Sequence, residues 1–360
     1  MVLCLGNEIG SSLCYNSANS SLFVALDNKT IVTYDLSDGF KKSGTVSIQN
    51  HILSLEYLST TKGENTEHLV ASCSDGSLQF LRKSNTLNEI IVEKKIKAHD
   101  GAAICLRMNA DGLSLATSGE DGQVKLWSKS GNLRTNLASF PQPIHCLAWG
   151  GEDNESLVIA HGYFLSILHA QNRNKAIKWV GQPSKNGIIL AVDWNKLNQL
   201  IVSAGEDCCY RIFSSIGAPL FESYPYHQVI TSLAWRPQGD VFVIGAFHSI
   251  LLCDQKGWEH HRESTNHGTI LDLKWDRYGS KVMGTCSNES VLIANLVDFT
   301  IKYGSTSATI EDPFRVSVAQ FTESKKVAEE AEFQRLVHGC DAYKIFIHCS
   351  FALLISFLLL

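Results

Sequence analysis

The stretch His-Asp-Gly-Ala-Ala-Ile-Cys-Leu-Arg-Met-Asn-Ala-Asp-Gly-Leu-Ser-Leu-Ala-Thr-Ser-Gly-Glu-Asp-Gly-Gln-Val-Lys-Leu-Trp, residues 99–127, decides the fold. It contains a β-rich run ending at Met108, a second over 115–119 and a third over 123–127, with polar turns between them. Period-two alternation with turn signals about every ten residues describes an antiparallel meander rather than a helix. In the second turn Gly122 supplies the positive φ of a tight hairpin, and Asp121 can bond the neighbouring backbone.

Outward from this stretch the pattern repeats. Runs ending in a bulky residue close at Tyr15, Tyr57, Met108, Trp149, Trp194, Trp235 and Trp275. Their separations are about 42, 51, 41, 45, 41 and 40 residues, close to a WD-type propeller blade. The turn between the second and third strands reads Asp27-Asn28, Asp75-Gly76, Asp121-Gly122 and Asp207-Cys208 in four repeats. The fold class is therefore all-β, a seven-bladed WD40-type β-propeller over residues 1–298, with Met1 to Leu5 as the strand that completes the last blade.

One repeat carries a full polar tetrad: His99 before the innermost strand, Thr117 on the second, Asp121 in the turn and Trp127 on the third. Imidazole, hydroxyl, carboxylate and indole N–H can satisfy one another in a half-buried chain, so the tetrad reads as structural, not catalytic. The other repeats have decayed. Lys185 stands where the fifth blade wants His, Phe247 where the sixth wants Asp, and Asn288 replaces that Asp in the seventh. Such blades rely on apolar packing.

Beyond the propeller, residues 299–321 read as a linker, with a short strand over 314–318. Residues 322–338 read as an amphipathic helix, with Val327, Ala331 and Leu336 along one face. Residues 339–360 form a tail whose last sixteen positions, 345–360, are almost wholly apolar. A membrane span needs about 20 residues, so a tail anchor would be underlength; an apolar chain end is the alternative.

Of the 360 residues, 44% are hydrophobic and 19% charged, enough for a sizeable core. Lys+Arg 31 against Asp+Glu 36 gives a net charge of −5, with no basic stripe, which argues against nucleic acid as a partner. Eleven cysteines at irregular spacing, with no Cys-x-x-Cys, read as reduced buried thiols. The N-terminus lacks the basic and apolar regions of a secretory signal, so the sequons at Asn19, Asn28, Asn154 and Asn288 read as chance.

No phosphate-binding glycine loop and no nucleophile elbow occurs, and no catalytic residue or cofactor is assigned. His260, His261 and His267, beside Glu259 and Glu263, form the densest histidine cluster, but they lack the spacing of a helical chelate and read as a surface loop between blades, with no metal. Trp258, following Gly257, falls outside the strand-end pattern of most tryptophans and is the candidate partner contact.

Five runs taken together carry a more specific resemblance. They are Gly-Glu-Asp-Gly-Gln-Val-Lys-Leu-Trp-Ser-Lys-Ser-Gly (119–131), Ser-Ala-Gly-Glu-Asp-Cys (203–208), Ile-Thr-Ser-Leu-Ala-Trp-Arg-Pro-Gln-Gly-Asp (230–240), Phe-His (247–248) and Leu-Cys-Asp-Gln-Lys-Gly-Trp (252–258). They resemble the first propeller of the intraflagellar transport protein 80 family, WD-repeat subunits of complex B of anterograde ciliary transport. The likeness covers residues 90–300 well and 1–90 in outline.

The resemblance implies a non-catalytic scaffold that docks on other complex B subunits, supports cilium assembly, and resides in the cytoplasm and cilium, at the ciliary base and axoneme. The family continues into a second propeller and a helical region, from which this chain departs. The alternatives are a scaffold of another transport or vesicle-coat complex, a tail-anchored adaptor held by 345–360, and a propeller enzyme. An enzyme would gather ionisable groups where the innermost strands begin, and the sequence offers only scattered polar residues there.

Overall fold

Short apolar-rich runs punctuated by Gly, Asp and Asn fold as strands throughout the described residues, as their alternation requires. The computed structural model describes residues 2–320 apart from 6–7, 17–19, 37–39, 59–65, 85–89, 171–176, 182–185, 297–299, 304–305 and 313–314. It divides into two units, Met1–Asn295 and Leu296–Leu360.

In the first unit, β1 (Val2–Cys4) precedes five four-stranded antiparallel meanders. The first comprises β2 (Gly10–Asn16), β3 (Ser21–Leu26), β4 (Thr30–Asp35) and β5 (Lys41–Ser47), and the second β6 (Ile52–Leu58), β7 (Thr66–Cys73), β8 (Ser77–Ser84) and β9 (Ile90–Lys97). The third comprises β10 (Ala103–Met108), β11 (Ser114–Gly119), β12 (Gln123–Ser128) and β13 (Leu133–Ser139). The fourth holds β14 (Ile144–Gly150), β15 (Ser156–His161), β16 (Phe164–His169) and β17 (Ile177–Gly181), and the fifth β18 (Ile189–Trp194), β19 (Ile201–Gly205), β20 (Tyr210–Phe213) and β21 (Pro219–Glu222).

The remaining strands are β22 (Ile230–Trp235), β23 (Val241–Asp254), β24 (Glu259–Trp275), β25 (Lys281–Cys286) and β26 (Ser290–Asn295). With β1 they make one six-stranded sheet in the order β1-β26-β25-β24-β23-β22. Seven separate four-stranded sheets were the expectation, and here the structure differs. The first part of β23 pairs with β22, its second part pairs with the start of β24, and Phe247 opposite Thr269 carries the ladder on towards the Ile270–Cys286 pairing. Two repeats are thereby fused into one hydrogen-bonded sheet.

Burial explains the order within each meander. The second strands β3, β15 and β19 are buried along their whole length, whereas outer strand β9 exposes most of its residues, including charged Glu93, Lys94, Lys95 and Lys97. Charges on an outer strand discourage edge-to-edge pairing. Neighbouring sheets pack face to face through apolar clusters, for example Phe23, Ile31, Leu55 and Leu69 between the first two sheets.

The ring closes. Leu13, Leu22 and Val24 of the first sheet pack on Met283, Val291 and Ile293 of the last, while β1 adds to β26 with Leu3 opposite Val291. The Leu5 amide extends that pairing to the Glu289 carbonyl at 2.8 Å. Six sheets arranged this way form a β-propeller.

In the second unit, β27 (Thr300–Tyr303), β28 (Thr306–Asp312) and β29 (Arg315–Gln320) form a three-stranded antiparallel sheet. The stretch expected as a linker thus carries a meander, because Thr, Ile, Val and Tyr dominate its alternating runs. The helix expected over 322–338 and the apolar tail over 339–360 lie outside the described residues. Among the described residues no helix is long and apolar enough to cross a membrane.

Candidate functional site

The third sheet brings His99, Thr117, Asp121 and Trp127 together. Strand β12 presents the Trp127 indole to β11, where Nε1–H donates to Thr117 Oγ1 at 2.9 Å. His99 Nε2 lies 2.8 Å from the same hydroxyl, and Nδ1 lies 2.9 Å from Asp121 Oδ1. One assignment satisfies every group: the indole donates to Thr117, the hydroxyl to Nε2, and Nδ1–H to the carboxylate.

Burial pushes the His99 pKa down, and its hydrogen bond to Asp121 only partly opposes this, so the imidazole is neutral near pH 7. The Asp121 carboxyl is lowered: desolvation works against its charge, but hydrogen bonds from His99 and the Gln123 and Asp100 backbones outweigh it. All four tetrad side chains are at least nine-tenths buried. A nucleophile or base here would not reach a substrate.

The turns show what the decayed repeats kept. Lys29, Gly76, Gly122, Gly162, Cys208 and Glu289 all have positive φ, each at the hairpin between two consecutive strands, and His248 has positive φ within β23, where its pairing passes from β22 to β24. In the first sheet the expected Asp27-Asn28 pair is off by one. Asn28 is the capping residue, accepting from the Thr30 amide at 3.0 Å as Asp75 does from Ser77, and Lys29 takes the glycine position.

Phe247 is nearly half exposed against the His248 ring, and Asn288 accepts from the Ser290 hydroxyl, while Lys185 lies outside the described residues. His260 and His261 are on strand β24 rather than a loop: His261 stands opposite Leu252, and His260 falls at the register shift before Glu259 pairs with Cys253. His260 contacts Asp254 at 3.1 Å and His267 contacts Asn288, so the structure does not draw the three histidines into one chelate.

Trp258 projects from the turn between β23 and β24 with 67% of its surface exposed. Its backbone is fixed at both ends: the amide donates to Asp254 Oδ1 at 2.9 Å, and the carbonyl accepts from the Asp254 amide at 2.9 Å. Preceding Gly257 leaves room for the Phe221 ring, which a Cβ would meet at 2.4 Å. A rigid backbone under an exposed indole leaves little backbone entropy to lose on ordering.

Sequence reasoning missed the centre of the ring. The innermost strands enclose a cavity of about 200 Å³ lined by, among others, Ser12, Ser54, Cys105, Arg107, Ala191 and Asp272. Glu56, Arg107, Asp193 and Lys274 each follow a lining residue by two positions, on the same strand face. Lys274 Nζ donates to Glu56 Oε1 at 2.9 Å, and Arg107 Nη1 reaches the same oxygen at 3.3 Å. Ionisable groups expected to be scattered are therefore gathered. The readable signal was the residue preceding each closing bulky residue.

Burial disfavours charge on Arg107, but Cys105 and the Glu56, Asp272 and Asp193 carboxyls outweigh it and raise its pKa. Lys274 is also raised: burial and Arg107 oppose its charge, and Glu56 and Asp272 prevail. Desolvation raises Asp193 against hydrogen bonds from the Trp235 and Trp194 amides.

Among the described residues one group has metal-ligand character, Asp153, Glu155 and His169, whose ligand atoms lie within 4.8 Å of one another. His169 Nε2 contacts Asp153 Oδ2 at 3.2 Å, and Asp153 Oδ1 accepts from the Glu155 amide, which accounts for the arrangement as a turn and a side-chain hydrogen bond.

Comparison with known proteins agrees with this geometry. The WD domain, G-beta repeat family matches residues 91–128, the repeat with the complete tetrad. Over 241 residues, 67% of this chain, the sequence is 41% identical to the intraflagellar transport protein 80 homologs of Mus musculus and Rattus norvegicus. The chain spans 30% of the length of each of those relatives. A mouse F-box-like/WD repeat-containing protein, TBL1X, is 26% identical over 37% of this chain and 25% of its own length. In fold, the Chaetomium thermophilum Raptor crystal structure superposes with a TM-score of 0.72 at 13% identity, covering 84% of this chain and 29% of Raptor.

Proposed function

We propose that this propeller, a relative of the intraflagellar transport protein 80 homologs, is a non-catalytic protein–protein interaction scaffold of intraflagellar transport complex B. The observation that carries the reading is 41% identity sustained over 241 residues, far beyond one WD repeat. Its partners are other complex B subunits, and its place is the cytoplasm and cilium, at the ciliary base and along the axoneme.

The propeller extends over 1–298 and counts seven blades, the six-stranded sheet being two. Seven innermost strands around the cavity support that count. The tetrad of His99, Thr117, Asp121 and Trp127 staples one blade and performs no chemistry, in keeping with its burial. Trp258 contacts a partner.

The test is affinity purification of the tagged full chain from ciliated cells, with copurifying proteins identified by mass spectrometry. Recovery of several complex B subunits at moderate salt is expected, with a loss of at least one on Trp258→Ala. A folded protein that recovers none of them contradicts the reading.

A further inference from the structure

The polar groups around the central cavity are used unequally. Both oxygens of its lining carboxylate are engaged: Asp272 Oδ2 takes the Ser12 hydroxyl at 2.8 Å and the Leu13 amide at 3.2 Å, while Oδ1 takes the Leu273 amide at 3.0 Å. Asp193 accepts the Trp194 and Trp235 amides, each at 2.8 Å, and Glu56 accepts Arg107 and Lys274.

The donors are not used up. All three Arg107 hydrogen bonds leave from Nη1, to Ser54, Glu56 and the Leu106 carbonyl. Arg107 Nε and Nη2 make no hydrogen bond among the described residues, although the guanidinium lines the cavity and is about a quarter exposed. Lys274 spends one of its three N–H groups, on Glu56. Open donors facing a cavity whose lining carboxylate, Asp272, is capped favour an acceptor-rich guest, and a guanidinium edge matches a two-oxygen anion.

At the cavity, Leu53 and Leu271 are each more than a third exposed, offering apolar contact to the methylenes of a guest side chain. A space of about 200 Å³ accommodates a group of that size. We propose that the central channel binds a small oxyanion on the free edge of Arg107: the carboxylate of an acidic side chain in a peptide, or a free inorganic anion of the same acceptor chemistry. Lys274 supplies the second positive charge. The inference stands independently of the ciliary assignment.

The test is calorimetric titration of the full chain with sodium phosphate and with a short acetylated peptide carrying one glutamate, its glutamine counterpart serving as control. Saturable binding of the glutamate peptide alone, or of both probes in competition, assigns the site to a peptide carboxylate; binding of phosphate alone assigns it to a free anion. Arg107→Gln should weaken whichever binds by at least about tenfold, the loss of one charge-assisted pair. Because that change removes a partner of Glu56, Arg107→Lys keeps a charge beside Glu56 and should weaken binding by about threefold or more through loss of the fork. Saturation by neither probe, or undiminished affinity in both variants, overturns the proposal.

Discussion

The third and fifth blades solve the same problem with different side chains. In the third, Asp121 bonds a neutral buried His99, and the Trp127 indole closes the chain through Thr117. In the fifth, Asp207 is paired by Arg211 at 2.7 Å, Ser203 stands where Thr117 would be, and Phe213, whose ring has no N–H, replaces Trp127. The hairpins match: Asp121 accepts from the Gln123 amide and Asp207 from the Cys209 amide, with Gly122 and Cys208 both at positive φ. Turn geometry is thus the retained requirement, and the polar staple is interchangeable.

The largest effect should come from breaking the third blade. Asp121→Ala leaves His99 Nδ1–H and two backbone amides without their acceptor, and should cost about 3 kcal/mol in chemical denaturation. Arg211→Ala should cost less, about 1–2 kcal/mol, because Asp207 keeps the Cys209 amide and the second partner, Glu222, is largely exposed. Equal losses would erase the distinction between the two staples. Removing residues 1–7 takes β1 from the ring-closing sheet and should lower the Tm by roughly 3–5 °C in a melting curve.

Cys208→Gly should sharpen the likeness of the two turns. A non-glycine residue at φ 62 carries a left-handed penalty, so glycine should add about 1 kcal/mol. Gly122→Ala, at φ 67 and with a Cβ that would meet the Phe140 carbonyl oxygen at 2.1 Å, should move stability the other way.

Acid should affect the two blades differently. His99 has a folded pKa below the ordinary 6.5, so the native state binds fewer protons than the unfolded one. Its contribution is complete above pH 6.5 and is lost as pH falls below that value. Asp121, held below its ordinary 3.8, keeps its contribution until more acid conditions. His145 and His161 are lowered by burial too, so the Tm should fall between pH 7 and 5.5. His99→Gln should reduce that slope, whereas Arg211→Ala should leave it unchanged.

The meander and its closure were legible because period-two alternation and the apolar run Val2–Cys4 are local signals. The tetrad was legible because its members stand at fixed offsets from an Asp-Gly turn. The fused sheet was not, since Phe247 opposite Thr269 depends on register between repeats that are individually ordinary. Nor was the charged channel: Glu56, Arg107, Asp193 and Lys274 are one residue each on four strands, and only ring closure brings Lys274 to Glu56 across 218 positions. The Asn28 cap was misregistered because Asp27 and Asn28 are both turn formers, and only backbone dihedrals choose between them.

The most direct measurement of the scaffold claim is co-elution of the purified full chain with reconstituted complex B lacking its protein 80 subunit. The account predicts that the chain shifts into the complex fraction on size exclusion at moderate salt and remains there after dilution. A chain that retains its β-sheet circular dichroism yet elutes alone at every concentration tested would contradict it.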